Sequence, residues 1–322
     1  MDVGIPTYGR PRFVVEAIES VLAQTHADFR LLVAEDGAGG GEIAAAVAPY
    51  LEDPRVRYEP SGGHLGAASN MSRIIESGEA PYVAILHDDD RWHPTWLESR
   101  VRFLEDHPDC GMVFGEHYDI DDAGRRVGRS DGPLKPGQQE HVAFAREMQR
   151  RNLVGTPTVL VRRAAYEQVG PAFDARHPMV YDWEMMLRLA LAAPAGYLRV
   201  WDSDYRTHTH QISAEATRGR EYLELFEAVC AQARAAGPQF ELPPGERRRL
   251  HARYLVSAAL DEIEARNRGA AVRLLRAAVR EHPAVSLSPG TAAALVGLAF
   301  PAAAVAARRR VYRNRVRPDR SA

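Results

Sequence analysis

Over the first two hundred residues, short apolar runs alternate with segments whose apolar residues recur every three or four positions. That alternation predicts βαβ units building an α/β domain, a mostly parallel sheet with helices on both faces. Residues 3–6 read as a first strand. Pro11 then introduces an amphipathic helix in which Val14, Ile18, Val21 and Leu22 share a face. Residues 31–34 form a second strand, followed by a Gly-rich turn and a helix through Ile43, Val47 and Leu51. Residues 56–58 make a short third strand, and a helix over residues 67–76 comes next. The run 82–86 is apolar throughout, as a strand buried on both faces requires.

Residues 110–127 read as a strand and a turn with Asp121 and Asp122 at its tip, and 130–139 as a mobile loop rich in Gly, Pro and charge. A strand over 158–161 precedes a helix over 182–192, with Asp182 placed as its N-cap. Beyond residue 213 the pattern turns almost purely helical, over 222–236, 247–266 and 270–280. Asn267-Arg268-Gly269 between two Ala-rich helices has the outline of a single helix-turn-helix repeat, which by itself cannot stack into a solenoid. The expected division is an α/β domain over 1–213, a helical extension over 214–285 and an apolar helix with a basic tail over 286–322.

That tail changes the charge picture. The chain of 322 residues carries a formal net charge of -2, which does not suggest a nucleic-acid binder. Residues 308–322 hold seven arginines against one aspartate, a net of +6, which leaves -8 for the rest. Residues 291–307 run seventeen positions without a charge, short of the roughly twenty needed to span a bilayer, and Pro301 would kink the helix. A short apolar helix beside an arginine cluster suits peripheral contact with an anionic membrane; the alternative is a terminal helix packed on the body. Cys110 and Cys230 are too far apart for metal-ligand spacing, and they read as two buried thiols in a reducing, cytoplasmic setting. No positively charged segment leading into an apolar one opens the chain, so a cleaved export signal is not expected.

Acidic residues cluster where the predicted strands end: Asp36 after the second, and Asp88, Asp89 and Asp90 after the fourth. In open α/β sheets that edge binds ligands, because loops and helix N-termini converge there. Three consecutive carboxylates repel one another as water is excluded, and a divalent cation such as Mn²⁺ or Mg²⁺ relieves that repulsion. Such ions keep positions open for a diphosphate.

Here the sequence resembles glycosyltransferase family 2, whose members have a GT-A, Rossmann-like fold. Residues 5–11, Ile-Pro-Thr-Tyr-Gly-Arg-Pro, are similar to that family's first strand and loop, and residues 33–37 to its second-strand aspartate motif. Residues 86–97 resemble its acidic metal motif with the trailing Pro and Leu. Residues 169–174, then Tyr181-Asp182-Trp183-Glu184, resemble its acceptor-side block; Tyr205-Arg206-Thr207-His208 resembles its closing pattern. The blocks keep the family's order over about two-thirds of the chain. Two departures stand out. His87 occupies a place where many members carry another Asp, and residues 66–70 lack the Arg often found there.

The resemblance implies an inverting transfer of a sugar from a nucleoside-diphosphate donor, UDP-linked or similar. The acceptor would be a hydroxyl of a glycan, a lipid-linked or a small-molecule acceptor. Thr7 and Tyr8 would line the nucleotide pocket, Asp36 would accept a hydrogen bond from the base, and Asp88 would contact the ribose or the metal shell. Asp89 would be the principal metal ligand, with Asp90 and His208 near the ion, and Asp182 the general base. Trp92 and Trp96 are expected in the core and Asp174 as a loop anchor; Arg162 and Arg163 are expected in solvent or facing an anionic acceptor. Two rival readings are a non-catalytic protein keeping this fold as a scaffold, and a sugar nucleotidyltransferase. Residues 7–11 lack the Gly-rich basic loop that the nucleotidyltransferase would need to hold a triphosphate.

Overall fold

The computed structural model describes residues 1–170, 172–178, 180–207 and 219–299. The chain forms two compact units, Met1–His208 and Thr209–Ala322.

The first unit begins with β1 (Asp2–Thr7), α1 (Pro11–Leu22), β2 (Arg30–Glu35), α2 (Gly41–Val47), β3 (Val56–Pro60), α3 (Ala67–Glu76) and β4 (Tyr82–Ile85). These four strands pair in parallel, in the spatial order β3-β2-β1-β4. Pro11 starts α1 because its missing N–H is one that a first helical turn leaves unpaired anyway. The apolar face of α1 (Val14, Ala17, Ile18 and Val21) joins Val3, Ile5, Leu31, Val33, Ala84 and Leu86 in one core. Gly4 points to the opposite side of β1. A Cβ there would meet Ile74 Cγ2 of α3 at 2.1 Å, so the bare glycine lets α3 lie directly on the second face of the sheet.

Beyond β4 the sheet becomes mixed. It continues with β5 (Arg91–Trp92), α4 (Trp96–Asp106), β6 (Met112–Ile120), β7 (Arg126–Arg129), β8 (Gly137–Gln138), α5 (His141–Arg150), β9 (Val159–Arg162), α6 (Arg163–Val169), α7 (Tyr181–Ala192) and β10 (Ala195–Arg206). Strand β9 inserts antiparallel between β4 and β6, and β10 runs parallel to β6. Two reversals restore the original direction, so the C-terminal ends of β1, β2, β4, β6 and β10 all reach one edge. Among the described residues the strands form one ten-stranded sheet, with β7 and β8 off its main path.

Several expectations change here. The helix through Leu51 ends at Val47 and tightens into a 3-10 turn over Ala48–Tyr50, where Pro49 denies the next helical hydrogen bond. Residues 130–139 are tied down rather than loose. Ser130 N and Gly132 N donate to His117 O and Glu116 Oε1, and β8 pairs with β10. Helix α7 starts at Tyr181 with Val180 at its N-cap, so Asp182 stands in the first turn and does not cap it. Arg162 and Arg163 are half-buried and tied to the protein rather than free in solvent. The first donates to Cys110 O, and the second to Asp2 Oδ2 at 2.7 Å and to Ala80 O. Cys110 is buried but Cys230 only half so, and both thiols are free. Trp92 and Trp96 do stack in the core, with their rings 3.8 Å apart.

The second unit contains α8 (Gly219–Ala236), α9 (Pro244–Glu264), α10 (Arg268–Glu281) and α11 (Pro289–Ala299). Leu255, Val256, Ala259 and Ile263 of α9 pack with Ala271, Leu275 and Ala278 of α10 and Ala294 of α11. Asn267 caps α10 by accepting from Ala270 N. Among the described residues no helix is long and apolar enough to cross a membrane. Residues 300–322 lie outside the described residues.

Candidate active site

The shared strand edge gathers the residues singled out in the sequence. Thr7 ends β1, Asp36 follows β2, Asp88, Asp89 and Asp90 follow β4, and Arg206 ends β10. The three aspartates are almost fully buried, with Asp90 only 1% exposed.

Asp88 is held on every side. Thr7 Oγ1 and Tyr8 N donate to its Oδ2 at 2.8 and 3.3 Å, and Arg10 Nη1 donates to its Oδ1 at 2.8 Å. The same guanidinium nitrogen reaches Asp89 Oδ2 at 3.0 Å. One cation thus serves two carboxylates, and crowding of like charge is not cancelled. Burial raises the Asp88 carboxyl above its ordinary range, and the charge of Asp89 adds to that. Burial pushes Asp90 well above that range, again with Asp89 adding to it. For Arg10, burial alone would lower the pKa, but the surrounding carboxylates outweigh it and raise it.

Arg206 is the residue whose role the sequence did not disclose. Fully buried, it donates its backbone N–H to Asp90 Oδ1 at 2.8 Å and its Nε to Asp89 O at 2.8 Å. Its Nη1 reaches Asp121 O and Asp122 O, and its Nη2 reaches Glu16 Oε2 at 2.6 Å. It therefore joins the end of β10, the aspartate turn, the β6–β7 turn and α1 at one point.

These bonds leave Asp90 Oδ2 buried without a hydrogen-bond partner, and likewise His87 Nε2. Ligand atoms of His87, Asp89 and Asp90 lie within 4.8 Å of one another. Two partnerless buried atoms, one imidazole nitrogen and one carboxylate oxygen, beside a second carboxylate, Asp89, form a donor set that fits Mn²⁺ or Mg²⁺. His87, which departs from the family pattern, is thus part of the candidate set. His208 lies outside the described residues.

Asp36 is anchored by the chain entering α3. Its oxygens accept from Leu65 N at 2.5 Å and Gly66 N at 3.0 Å, and His64 Nδ1 lies at 2.9 Å. Gly66 adopts φ +89°, a backbone conformation that favours glycine. Tyr8, 62% exposed, and His64 bring their rings within 4.9 Å over this corner, an open aromatic lip able to stack on a flat base. His64 carried no signal in the sequence, since a lone histidine in a Gly-rich loop has no distinctive spacing. Arg73, one turn beyond Asn70, does not substitute for the arginine missing from residues 66–70. Its Nη2 donates to Glu35 O, Glu59 O and Asn70 Oδ1.

Asp182 is half-buried in the first turn of α7, and its Oδ1 accepts from Trp183 N at 2.8 Å. The neighbouring Tyr181 links it to the aspartate turn. Burial raises the Tyr181 phenol, and the charges of Asp182 and Asp89 and the Tyr205 phenol raise it further. Asp174 holds its loop through Arg176, and Asp121 holds its turn through Ala123 N and Arg125 N, as expected.

The profile of Glycosyl transferase family 2 matches residues 2–170. The chain is 22% identical over 190 residues to the uncharacterized glycosyltransferase MJ1057 of Methanocaldococcus jannaschii, covering 58% of this chain and 63% of that protein. Across the curated relatives it matches, the chain spans less than two-thirds of their length, in one case only 15%. Among solved structures it resembles S. aureus TarS 1–349 in complex with UDP-GlcNAc, at a TM-score of 0.66 and 14% identity, over 87% of this chain and 80% of that one. The mannosyltransferase PcManGT from Pyrobaculum calidifontis, in complex with GDP-Man and Mn²⁺, aligns at a TM-score of 0.54 and 16% identity, over 93% and 79%. These likenesses establish the GT-A type of α/β fold. The profile match covers more than half of the chain, and on that ground the chain belongs to glycosyltransferase family 2.

Proposed function

We propose that the protein transfers a sugar from a nucleoside-diphosphate donor, UDP-linked or similar, to a hydroxyl acceptor with inversion. One observation carries this reading most directly: His87, Asp89 and Asp90 bring ligand atoms within 4.8 Å of one another at the strand edge, with Asp90 Oδ2 and His87 Nε2 buried and without a hydrogen-bond partner.

His87, Asp89 and Asp90 would hold a Mn²⁺ or Mg²⁺ ion, which when bound would offset the charge that develops on the leaving diphosphate. Tyr8 and His64 would stack on the base, with Asp36 fixing the loop that carries His64. Thr7, through Asp88, would keep the first strand in register with the aspartate turn. Asp182 would accept the proton of the acceptor hydroxyl, which is otherwise a poor nucleophile. A metal-side carboxylate group and a separate base suit a single displacement. Mn²⁺ in the PcManGT complex and UDP-GlcNAc in the TarS complex are consistent with such a donor and ion. The exposed Leu295 and Val296 of α11 support peripheral membrane contact by the C-terminal segment, which fractionation after deleting residues 291–322 would test.

The test compares Asp89→Ala and Asp182→Asn by calorimetry with UDP and Mn²⁺, and by transfer from a panel of nucleotide sugars. Asp89→Ala should abolish metal-dependent nucleotide binding. Asp182→Asn should keep that binding and lose transfer by about 10²–10⁴-fold. Transfer by Asp182→Asn at the wild-type rate removes the base role. No metal-dependent binding of any nucleotide sugar to the wild type removes the whole reading.

A further inference from the structure

Strands β6 and β10 flank a cavity of about 360 Å³. Its walls are Phe114, Glu116 and His117 of β6, residues 130–134, residues 151–155, and Tyr197 of β10. We propose that this cavity seats the acceptor, and that the group it takes is an uncharged pyranose. The inference rests on the glycosyl-transfer reading above.

Two connections join the cavity to the aspartate turn and to α7. On one side, the ring of His117 lies 5.3 Å from that of Tyr205, and the next residue, Arg206, donates to Asp90 Oδ1 and Asp89 O. On the other, Trp183, the residue after Asp182, donates its indole N–H to Met148 O at 2.7 Å. Met148 lies in α5, whose chain runs straight on into the wall at Arg151. A sugar in the cavity would thus have the end of α7 that carries Asp182 as its neighbour.

The lining decides the kind of acceptor. An anionic one, such as a phosphodiester or a uronate, needs a cation free to pair with it. Arg151 is already paired with Glu147 at 2.6 Å. Asp131 is likewise paired, with Arg199 at 2.8 Å. Glu116 is 4% exposed and accepts from Gly132 N at 2.6 Å and Tyr197 OH at 2.5 Å, and also from Ser130 Oγ. His117 is 3.5 Å from Asp119. Among the described lining residues no arginine or lysine is left without a carboxylate. What remains is amphipathic: Phe114, Pro133 and Leu134 offer apolar surface, and Asn152, whose Oδ1 accepts from Val154 N at 3.1 Å, offers its amide NH₂. A pyranose, with C–H faces and a hydroxyl rim, matches both kinds of surface. The volume is near the lower end of ligand pockets, about 300–1,000 Å³, which suits a terminal sugar more than a long chain segment.

The experiment is saturation-transfer NMR on the full chain. The probes are the methyl pyranosides of glucose, galactose, mannose and N-acetylglucosamine, with a hexose phosphate and glycerol phosphate as anionic comparators. At least one neutral pyranoside should bind the wild type. Leu134→Trp, which fills the cavity, should weaken it about tenfold or more, and Asn152→Ala should weaken it severalfold. UDP binding with Mn²⁺ reports that each variant is folded, and if Leu134→Trp does not fold, Asn152→Ala decides. Binding of the anionic comparators alone, binding untouched by the folded variants, or no pyranoside binding at all overturns the inference. If pyranosides fail while UDP still binds with Mn²⁺, only the acceptor assignment falls. If UDP fails with every metal while pyranosides bind, the donor reading falls and the cavity assignment stands.

Discussion

Arg10 places one guanidinium nitrogen 2.8 Å from Asp88 Oδ1 and 3.0 Å from Asp89 Oδ2, so a side chain from the first loop partly offsets the charge of the turn after β4. The position is the one a divalent cation would compete for, since Asp89 is shared between Arg10 and the candidate ligand group. Replacing Arg10 by Gln removes the competitor while keeping a donor of similar length. Mn²⁺ alone should then bind about tenfold more tightly, equivalent to roughly 1.4 kcal/mol. Titration calorimetry without nucleotide measures this. Unchanged or weaker binding would instead make Arg10 an orienting partner of the carboxylates.

Arg206 offers a stability test at the other end of the site. Its side chain has no exposure and its Nη2 lies 2.6 Å from Glu16 Oε2. Arg206→Met should destabilise the fold by about 3 kcal/mol, because it strands Glu16 and several carbonyls that the guanidinium satisfies. Adding Glu16→Gln should recover part of that loss. Urea denaturation of the single and double variants checks both statements, and additive losses would count against the pairing.

Gly4 tests why the sheet accepts α3 so closely. Gly4→Ala puts a methyl group against Ile74 Cγ2 and should destabilise by about 2 kcal/mol, with Ile74→Ala in the same chain relieving the overlap. Thermal melts would read the difference. A Gly4→Ala protein as stable as wild type would mean that α3 can shift without loss.

Asp204 carries a pH dependence with a defined sign. Burial alone would raise its pKa, but hydrogen bonds and charge from His93 at 3.1 Å and Arg91 at 2.9 Å outweigh that and hold it below the ordinary carboxylate range. A folded pKa below the unfolded one means stability that is fully present above about pH 4 and lost as pH falls through the folded value. The gap between wild type and Asp204→Asn should therefore be about 1 kcal/mol near neutrality and close in acid. Urea midpoints at a series of pH values measure it. A gap that stays constant with pH would rule this pairing out as its source.

Much of the first unit was legible along the chain. Helix α3 begins and ends where its apolar spacing does, at Ala67 and Glu76, and the unbroken run at β4 announced a strand covered on both faces. The aspartate turn was legible too, because an acidic triplet directly after such a strand must come to the sheet edge. Strand β10 was not. Its apolar pattern is interrupted by Asp202, Asp204 and Arg206, three buried charged residues on one face. Each is balanced by a residue far away in sequence: Arg100, Arg91 with His93, and Glu16.

The order of residues by itself determined the first four strands with their helices, the family and the carboxylates at the strand ends, because hydrophobic periodicity and short motifs are properties of neighbouring positions. Only the tertiary structure decided that Arg10 bridges Asp88 and Asp89, that His87 joins Asp89 and Asp90, and that Arg206 fastens four segments together. Pairing energies between buried charges depend on distance and dielectric across the folded sheet, and neither quantity exists until strands far apart in the chain have met.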